Sequence, residues 1–229
     1  MEHLDFTIDF ETCSLSANAA VMQVAVLPWL RENKYDPFCN DLQPFVGFVD
    51  LRTCVMDGYD FDMKTVLWWS RQNPVVKRQV LDGTPKHIAE VTWDTFNYIR
   101  DTTLRYNLQS LCLWCQGPDV DIAILRNLCR RYVVDLEEAV PHTGFRDCRT
   151  VILEAALMEA RRGLEGEGTN GITPEQVLAT PSLAYKFFAP LPEEYSNGSD
   201  AHDALYDAYK SSWNTWQALG WMNREPREL

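Results

Sequence analysis

Nowhere in the 229 residues does an apolar run approach the roughly 20 positions that a membrane-spanning helix needs. The opening Met1-Glu2-His3-Leu4-Asp5 lacks the basic and apolar regions of a signal peptide. The seven Cys have no framework spacing, and an odd count in a chain this size points to reduced thiols rather than disulfide staples. A cytoplasmic protein with no membrane partner is therefore expected. Basic excess is missing as well: 21 Lys plus Arg face 33 Asp plus Glu, a net charge of −12. A protein that coats duplex nucleic acid draws its affinity from phosphate neutralisation, so that class is excluded. No Gly-rich loop precedes a helix, against a nucleoside triphosphatase. Cys112 and Cys115 make a single Cys-x-x-Cys on opposite faces of a predicted strand, with no second pair, which argues against zinc. There is no internal repeat and no low-complexity tract.

What is present is ordinary core material: 46% hydrophobic residues, including 8 Trp, 9 Tyr and 10 Phe, beside 24% charged. The length suits one domain spanning 1–229, with residues 163–199 as a loop-rich insertion before the last helix. The acids crowd the two ends, whereas residues 71–162 hold 13 basic and 12 acidic groups, with Arg126, Arg130, Arg131, Arg146, Arg149, Arg161 and Arg162 close in sequence.

Alternation and β-branched content predict strands at Leu4–Phe10, Val21–Leu30 and Phe45–Leu51, close enough for an antiparallel meander. From Met63 the apolar period turns helical: Met63–Gln72, Pro74–Leu81, then a longer helix opening at Thr84-Pro85 and ending near Arg105. A short strand at Leu111–Cys115, a helix at Asp119–Tyr132, a strand at Thr143–Asp147 and a helix at Arg149–Arg162 follow. Gly163–Gly171 reads as a loop, Asn197-Gly198-Ser199 as a turn, Thr173–Leu178 and Ser182–Phe188 as short helices, and Asp200–Leu219 as the last long one. Strands first, then helix–strand alternation, give an α/β domain on a mixed sheet.

Three groups of residues carry chemistry. Asp9 and Glu11 sit two apart at the end of the first strand and so share a face. Taken alone they read as two solvated acids on an edge. Asp121 follows the strand ending at Cys115 and opens a helix, where Asp119 serves as a cap. Near the C-terminus stand His202 and Asp207. Five residues on an ideal helix rotate by about 140°, so these two converge only if His202 lies at the helix entrance. Ser199 and Asp200, both good N-caps, favour that placement. Asp203 is read as a solvated acid, with orientation of His202 as the alternative.

Asp9-x-Glu11-Thr12, Asp121 and His202-x4-Asp207 in this order resemble the three motifs of the DEDDh (DnaQ-like) 3′-5′ exonucleases. Trp68-Trp69-Ser70-Arg71-Gln72 and Arg146-Asp147-Cys148-Arg149-Thr150 resemble segments of the Rv2179c-like branch, to which phage exonuclease A belongs. The resemblance spans about residues 4–215. The chain departs from it at Val120, where a Phe is common, and in its longer 163–199 region.

The resemblance implies a ribonuclease H-like mixed five-stranded sheet flanked by helices. It also implies two Mg²⁺ or Mn²⁺ held by Asp9, Glu11, Asp121 and Asp207. Such ions prefer oxygen donors, and their charge of about +4 offsets about −4 from the acids. His202 is then the general base, because imidazole titrates near neutral pH. Thr12, Trp68, Trp69 and Gln72 are the implied substrate contacts. Trp68 and Trp69 point about 100° apart on a helix, so one is core and the other faces substrate. Arg146 and Arg149 either touch phosphate or pair with Asp147.

The expected reaction is metal-dependent trimming of single-stranded 3′ ends to 5′-mononucleotides, with DNA preferred. An exoribonuclease is the alternative within the class. Outside it stand a non-catalytic nucleic-acid-binding protein and a DNA mimic. A homodimer is compatible with all of these.

Overall fold

The computed structural model describes residues 4–38, 41–81, 83–106, 111–164, 171–196 and 202–223. β1 (Leu4–Thr12) is the centre of the sheet. It pairs antiparallel with β2 (Val21–Leu30), which pairs antiparallel with β3 (Phe45–Phe48). β3 is followed in the chain by α1 (Leu51–Met56), α2 (Met63–Ser70), α3 (Pro74–Leu81) and α4 (Ile88–Arg105), while α5 (Asp121–Arg131) and α6 (Leu136–Ala139) lie in sequence between the last two strands. β4 (Cys112–Cys115) lies parallel to β1, and β5 (Phe145–Asp147) parallel to β4, giving the order β3-β2-β1-β4-β5. The mixed α/β sheet expected from the strand pattern is therefore present. α7 (Cys148–Leu164), α8 (Pro174–Ala179), a 3₁₀ turn over Pro181–Phe187, α9 (Glu193–Ser196) and α10 (Ala204–Met222) complete the chain.

The period-2 alternation of β1 sorts its side chains onto two unlike faces. Leu4, Phe6, Ile8 and Phe10 enter an apolar core with Val91, Phe96 and Ile99 of α4 and Ile122, Leu125 and Leu128 of α5. Asp5, Thr7, Asp9 and Glu11 face the other way, under α10, which crosses β1 and β2. That face begins as a satisfied polar seam. Arg31 forks onto buried Asp5 at 2.7 and 2.8 Å. The Thr7 hydroxyl accepts from the Trp29 indole at 3.0 Å and from Ser212 of α10 at 2.7 Å. Around it a second core joins Trp29 and Trp114 to α7, α8 and α10. Farther along the same face, where β1 ends, lie Asp9 and Glu11.

Several boundaries differ from the sequence pattern. The third strand stops at Phe48, because Asp50 caps a helix that takes Leu51 as its first residue. The helix expected from Thr84-Pro85 begins at Ile88. Lys86 is still paired beside Val49, and the His87 imidazole caps the Ala89 N–H. The Ser182–Phe188 helix is a 3₁₀ turn, and the short α6 and α9 have no distinct apolar period to announce them. The helix expected at Thr173–Leu178 is α8, opened by a full capping box between Thr173 and Gln176. Residues 165–170 of the expected Gly-rich loop, and Asn197–Asp200 with their turn and caps, lie outside the described residues. Among the described residues no helix is long and apolar enough to cross a membrane.

Candidate active site

Asp9, Glu11 and Asp207 bring carboxylate oxygens within 4.8 Å of one another. Two come from one strand face, and the third from the first turn of the helix crossing it. Asp121 stands outside this close set, at the start of α5, and lines the same cleft. The cleft encloses about 900 Å³ between the end of β1, the Gln116–Asp121 turn, α7, the 3₁₀ turn and α10.

Packing four acids this way costs electrostatic energy. Burial, then the charges of Asp121, Glu11 and Asp207, hold Asp9 protonated well above the usual carboxylate range. Burial, with Asp207, Asp203 and Asp121, pushes Glu11 up to about 9. Burial raises Asp121 to about 7 even though Arg149 and the Gln116 backbone N–H pull it down. Asp207 is raised by burial, against the His202 backbone N–H, the imidazole and Lys210. Buried acids left uncompensated like this suit a positive ligand. With every close donor a carboxylate oxygen, the set fits hard divalent cations such as Mg²⁺ or Mn²⁺.

His202 lies just outside α10 in a left-handed conformation, φ 76°. Its backbone N–H donates to Asp207 Oδ2 at 2.8 Å, so the five-residue spacing closes as a loop onto the first helical turn. Its ring lines the cleft and meets Trp68 edge-on. Asp203 is neither solvated nor turned to His202. It is the buried N-cap, accepting from the Tyr206 N–H at 3.1 Å and from the Gln23 side-chain amide at 3.3 Å.

The four implied substrate contacts separate. Thr12 is buried, with its hydroxyl donating to the Ser14 carbonyl at 2.6 Å. Trp69 is core, its indole N–H on the Thr12 carbonyl at 2.9 Å. Gln72 folds back onto the Trp68 carbonyl at 3.2 Å. Trp68, 40% exposed, alone of the four presents a ring beside His202.

The arginines disperse too. Arg126 lies over Phe145 and Arg131 over Tyr59, Arg162 pairs with Glu159, and Arg146 returns to the Thr143 and Phe145 carbonyls. Asp147 caps α7 through the Arg149 N–H and the Thr150 hydroxyl. The Arg149 guanidinium has no ion pair among the described residues and points into the cleft near Gly117. Lys210, also on the cleft wall, was not anticipated. Its position three residues after Asp207, on the same side of α10, was the available signal. Tyr185, from the 3₁₀ turn, had none.

Residues 4–175 match the model of the Rv2179c-like 3′-5′ exoribonuclease domain. The exodeoxyribonuclease of Enterobacteria phage T4 is 25% identical over 217 residues, covering 90% of this chain and 85% of the phage protein. Among solved structures, zinc-bound E. coli ExoI in complex with ssDNA superposes with a TM-score of 0.57 at 16% identity. That match covers 99% of this chain, which spans only 42% of ExoI. The nuclease domain of 3′hExo, a DEDDh family member bound to rAMP, superposes with a TM-score of 0.52 at 11% identity, covering 96% of this chain and 92% of that one. These last two likenesses establish the ribonuclease H-like exonuclease fold.

Proposed function

The chain belongs to the Rv2179c-like 3′-5′ exoribonuclease domain family and is a DnaQ-like 3′-5′ exonuclease, and from that premise we propose that it trims single-stranded DNA from the 3′ end to 5′-mononucleotides with divalent cations. The observation that carries this reading is the approach of Asp9, Glu11 and Asp207 to within 4.8 Å in a cleft shared with Asp121. These four would hold two Mg²⁺ or Mn²⁺. Cations of this kind supply charge neutralisation at the phosphate and acidify a bound water.

The remaining work falls to the chain's own groups. His202, on the cleft wall, takes the proton from the attacking water oxygen as general base. Arg149 and Lys210, the Arg and Lys side chains that line the cleft among the described residues, meet strand phosphates and offset the acids beneath. Trp68 stacks on a base near the 3′ end, which asks only for a π-face and so tolerates any sequence. With so few cations, binding engages a few nucleotides and no long duplex.

DNA is favoured because the T4 relative is named an exodeoxyribonuclease and matches along 85% of its length. RNA is the second reading, supported by the description of the family model as an exoribonuclease domain. The test is a pair of 5′-labelled single strands, DNA and RNA, incubated with Mg²⁺, Mn²⁺ or EDTA. Expected is a ladder shortening from the 3′ end, with mononucleotides released, faster on DNA and absent in EDTA. Internal cuts, or digestion in EDTA, would remove the reading. Faster loss of RNA would transfer it to the second. With Ca²⁺ in place of Mg²⁺ to slow turnover, binding to short single strands should show a shallow salt slope, reflecting few neutralised phosphates.

A further inference from the structure

β2 reads Val21-Met22-Gln23-Val24-Ala25-Val26-Leu27, so Gln23 is a lone amide in an apolar run. It is 2% exposed and lies directly opposite Glu11 in the sheet register. A buried primary amide demands partners for both its oxygen and its N–H groups. Gln23 finds them on one short stretch of chain 180 residues away. Its Oε1 accepts from the Ala204 N–H at 2.9 Å, and its Nε2 donates to Asp203 Oδ2 at 3.3 Å. Ala204 is the first residue of α10 and Asp203 its cap, whose other oxygen holds the Tyr206 N–H. Immediately before the cap is His202, and Asp207 follows in the first turn.

We propose that Gln23 is a positioning residue for the catalytic centre. By holding the entrance of α10 on β2 beside Glu11, it sets the distance at which Asp207 approaches Asp9 and Glu11 and at which His202 enters the cleft. A second amide works one turn farther along α10. Gln116, whose backbone N–H serves Asp121, donates from its side chain to Ser211, and Ser211 in turn donates to the Asp207 carbonyl. Gln23 thus ties α10 to the strand acids, while Gln116 ties it to the turn that carries Asp121. Apolar packing alone leaves a helix free to slide by fractions of an ångström. A two-point hydrogen bond at the first turn removes that freedom where acids from different elements must meet one ion. Groups that orient metal ligands in this manner are worth about 10- to 100-fold in affinity or activity.

The inference rests on reading Asp9, Glu11 and Asp207 as cation ligands, and the experiment separates the two. Four variants are compared with the native chain: Gln23→Leu, Gln23→Glu, Asp203→Asn and the double Gln23→Glu/Asp203→Asn. The double variant reverses donor and acceptor at unchanged net charge: the amide installed at 203 donates to the carboxylate installed at 23. That carboxylate still accepts from the Ala204 N–H. Mn²⁺ affinity by calorimetry, kcat and KM on a single-stranded oligonucleotide, and Tm are measured for each.

Expected for Gln23→Leu is Mn²⁺ binding weaker by about 10- to 100-fold, with a fall in kcat larger than any rise in KM. Each charge-changing single variant should lose activity, and the double should recover most of what Gln23→Glu loses. Native Mn²⁺ affinity and kcat in Gln23→Leu, with only Tm lowered, would overturn the positioning role. So would a double variant no better than the product of its single effects, which remains decisive if Gln23→Leu fails to fold. Absence of Mn²⁺ binding in the native chain would instead sink the ligand assignment itself.

Discussion

The indole of Trp68 meets the imidazole of His202 edge-on, with ring centroids 4.6 Å apart and planes at 88°. The neighbouring Trp69 turns inward instead, 8% exposed. Two adjacent tryptophans therefore have separable fates under mutation. Trp68→Ala should leave stability within about 0.5 kcal/mol of native. It should raise KM for a single strand by about tenfold or more, as expected from a base stack worth about 1–3 kcal/mol. Trp69→Ala should cost about 3–5 kcal/mol of stability, as for other buried aromatics. Chemical denaturation beside steady-state kinetics checks both. Equal destabilisation by the two changes would contradict the assignment.

His202 touches Asp207 through its backbone, not its ring. His202→Ala should accordingly lower turnover by about 10²–10⁴ while cation affinity persists. At φ 76° an L-residue is strained and glycine is not. His202→Gly should thus be as inactive as His202→Ala yet more stable, by about 1 kcal/mol. Calorimetry with Ca²⁺ and thermal melts of the two variants decide it. A loss of cation binding in both would make the ring a ligand.

The raised carboxyls fix a sign for pH dependence. Below about pH 4 these acids are protonated folded or unfolded, and no penalty exists. As pH rises, the unfolded chain ionises freely while the fold retains protons on Asp121 up to about 7 and on Glu11 up to about 9. In EDTA, the contribution of these acids to stability should therefore decline from the acid side through pH 9. The slope attributable to Glu11 is the difference between the native chain and Glu11→Gln. Divalent cation displaces those protons, so the Tm gain from Mg²⁺ should be larger at pH 9 than at pH 6. Equal gains at both would deny the coupling.

Asp9 is opposed by every other acid of the cluster. Asp9→Asn, equal in shape and uncharged, should abolish cleavage and yet stabilise the cation-free protein at pH 9. Relief of about 1 kcal/mol corresponds to a Tm rise of roughly 2–4 °C in a chain of this size. Melts in EDTA test this, and a fall in Tm would mean that Asp9 carries a stabilising contact.

Most of the framework was legible because it depends on local pattern. The two-residue spacing of Asp9 and Glu11 fixes a common face without tertiary information, and once the resemblance to the DEDDh motifs asks His202 and Asp207 to converge, helix geometry requires His202 at the entrance of α10. Legibility ended where an identical signal has two tertiary outcomes. Trp68 and Trp69 differ only in which side of a short helix meets the body of the protein. Leu51 continues an apolar run, and only the Asp50 cap turns it from strand to helix. Asp203 looked like a surface acid because its partner lies in a distant strand. The single amide in the apolar β2 run was the sequence's sign that some such partner existed.

Asp9 and Asp207 approach one another from far apart in the sequence, and this gives the cluster a schedule as well as a geometry. At about 5–20 residues per second, roughly 10–40 s of synthesis separate the emergence of Asp9 from that of Asp207. During that interval the sheet can form while the closing helix is still inside the ribosome. On the proposed function, a translation product ending before α10 lacks Asp207 and should stay inert however well its sheet folds. On the proposed reading, the docking of α10 completes the acidic cluster, and it follows the synthesis of every strand of the sheet.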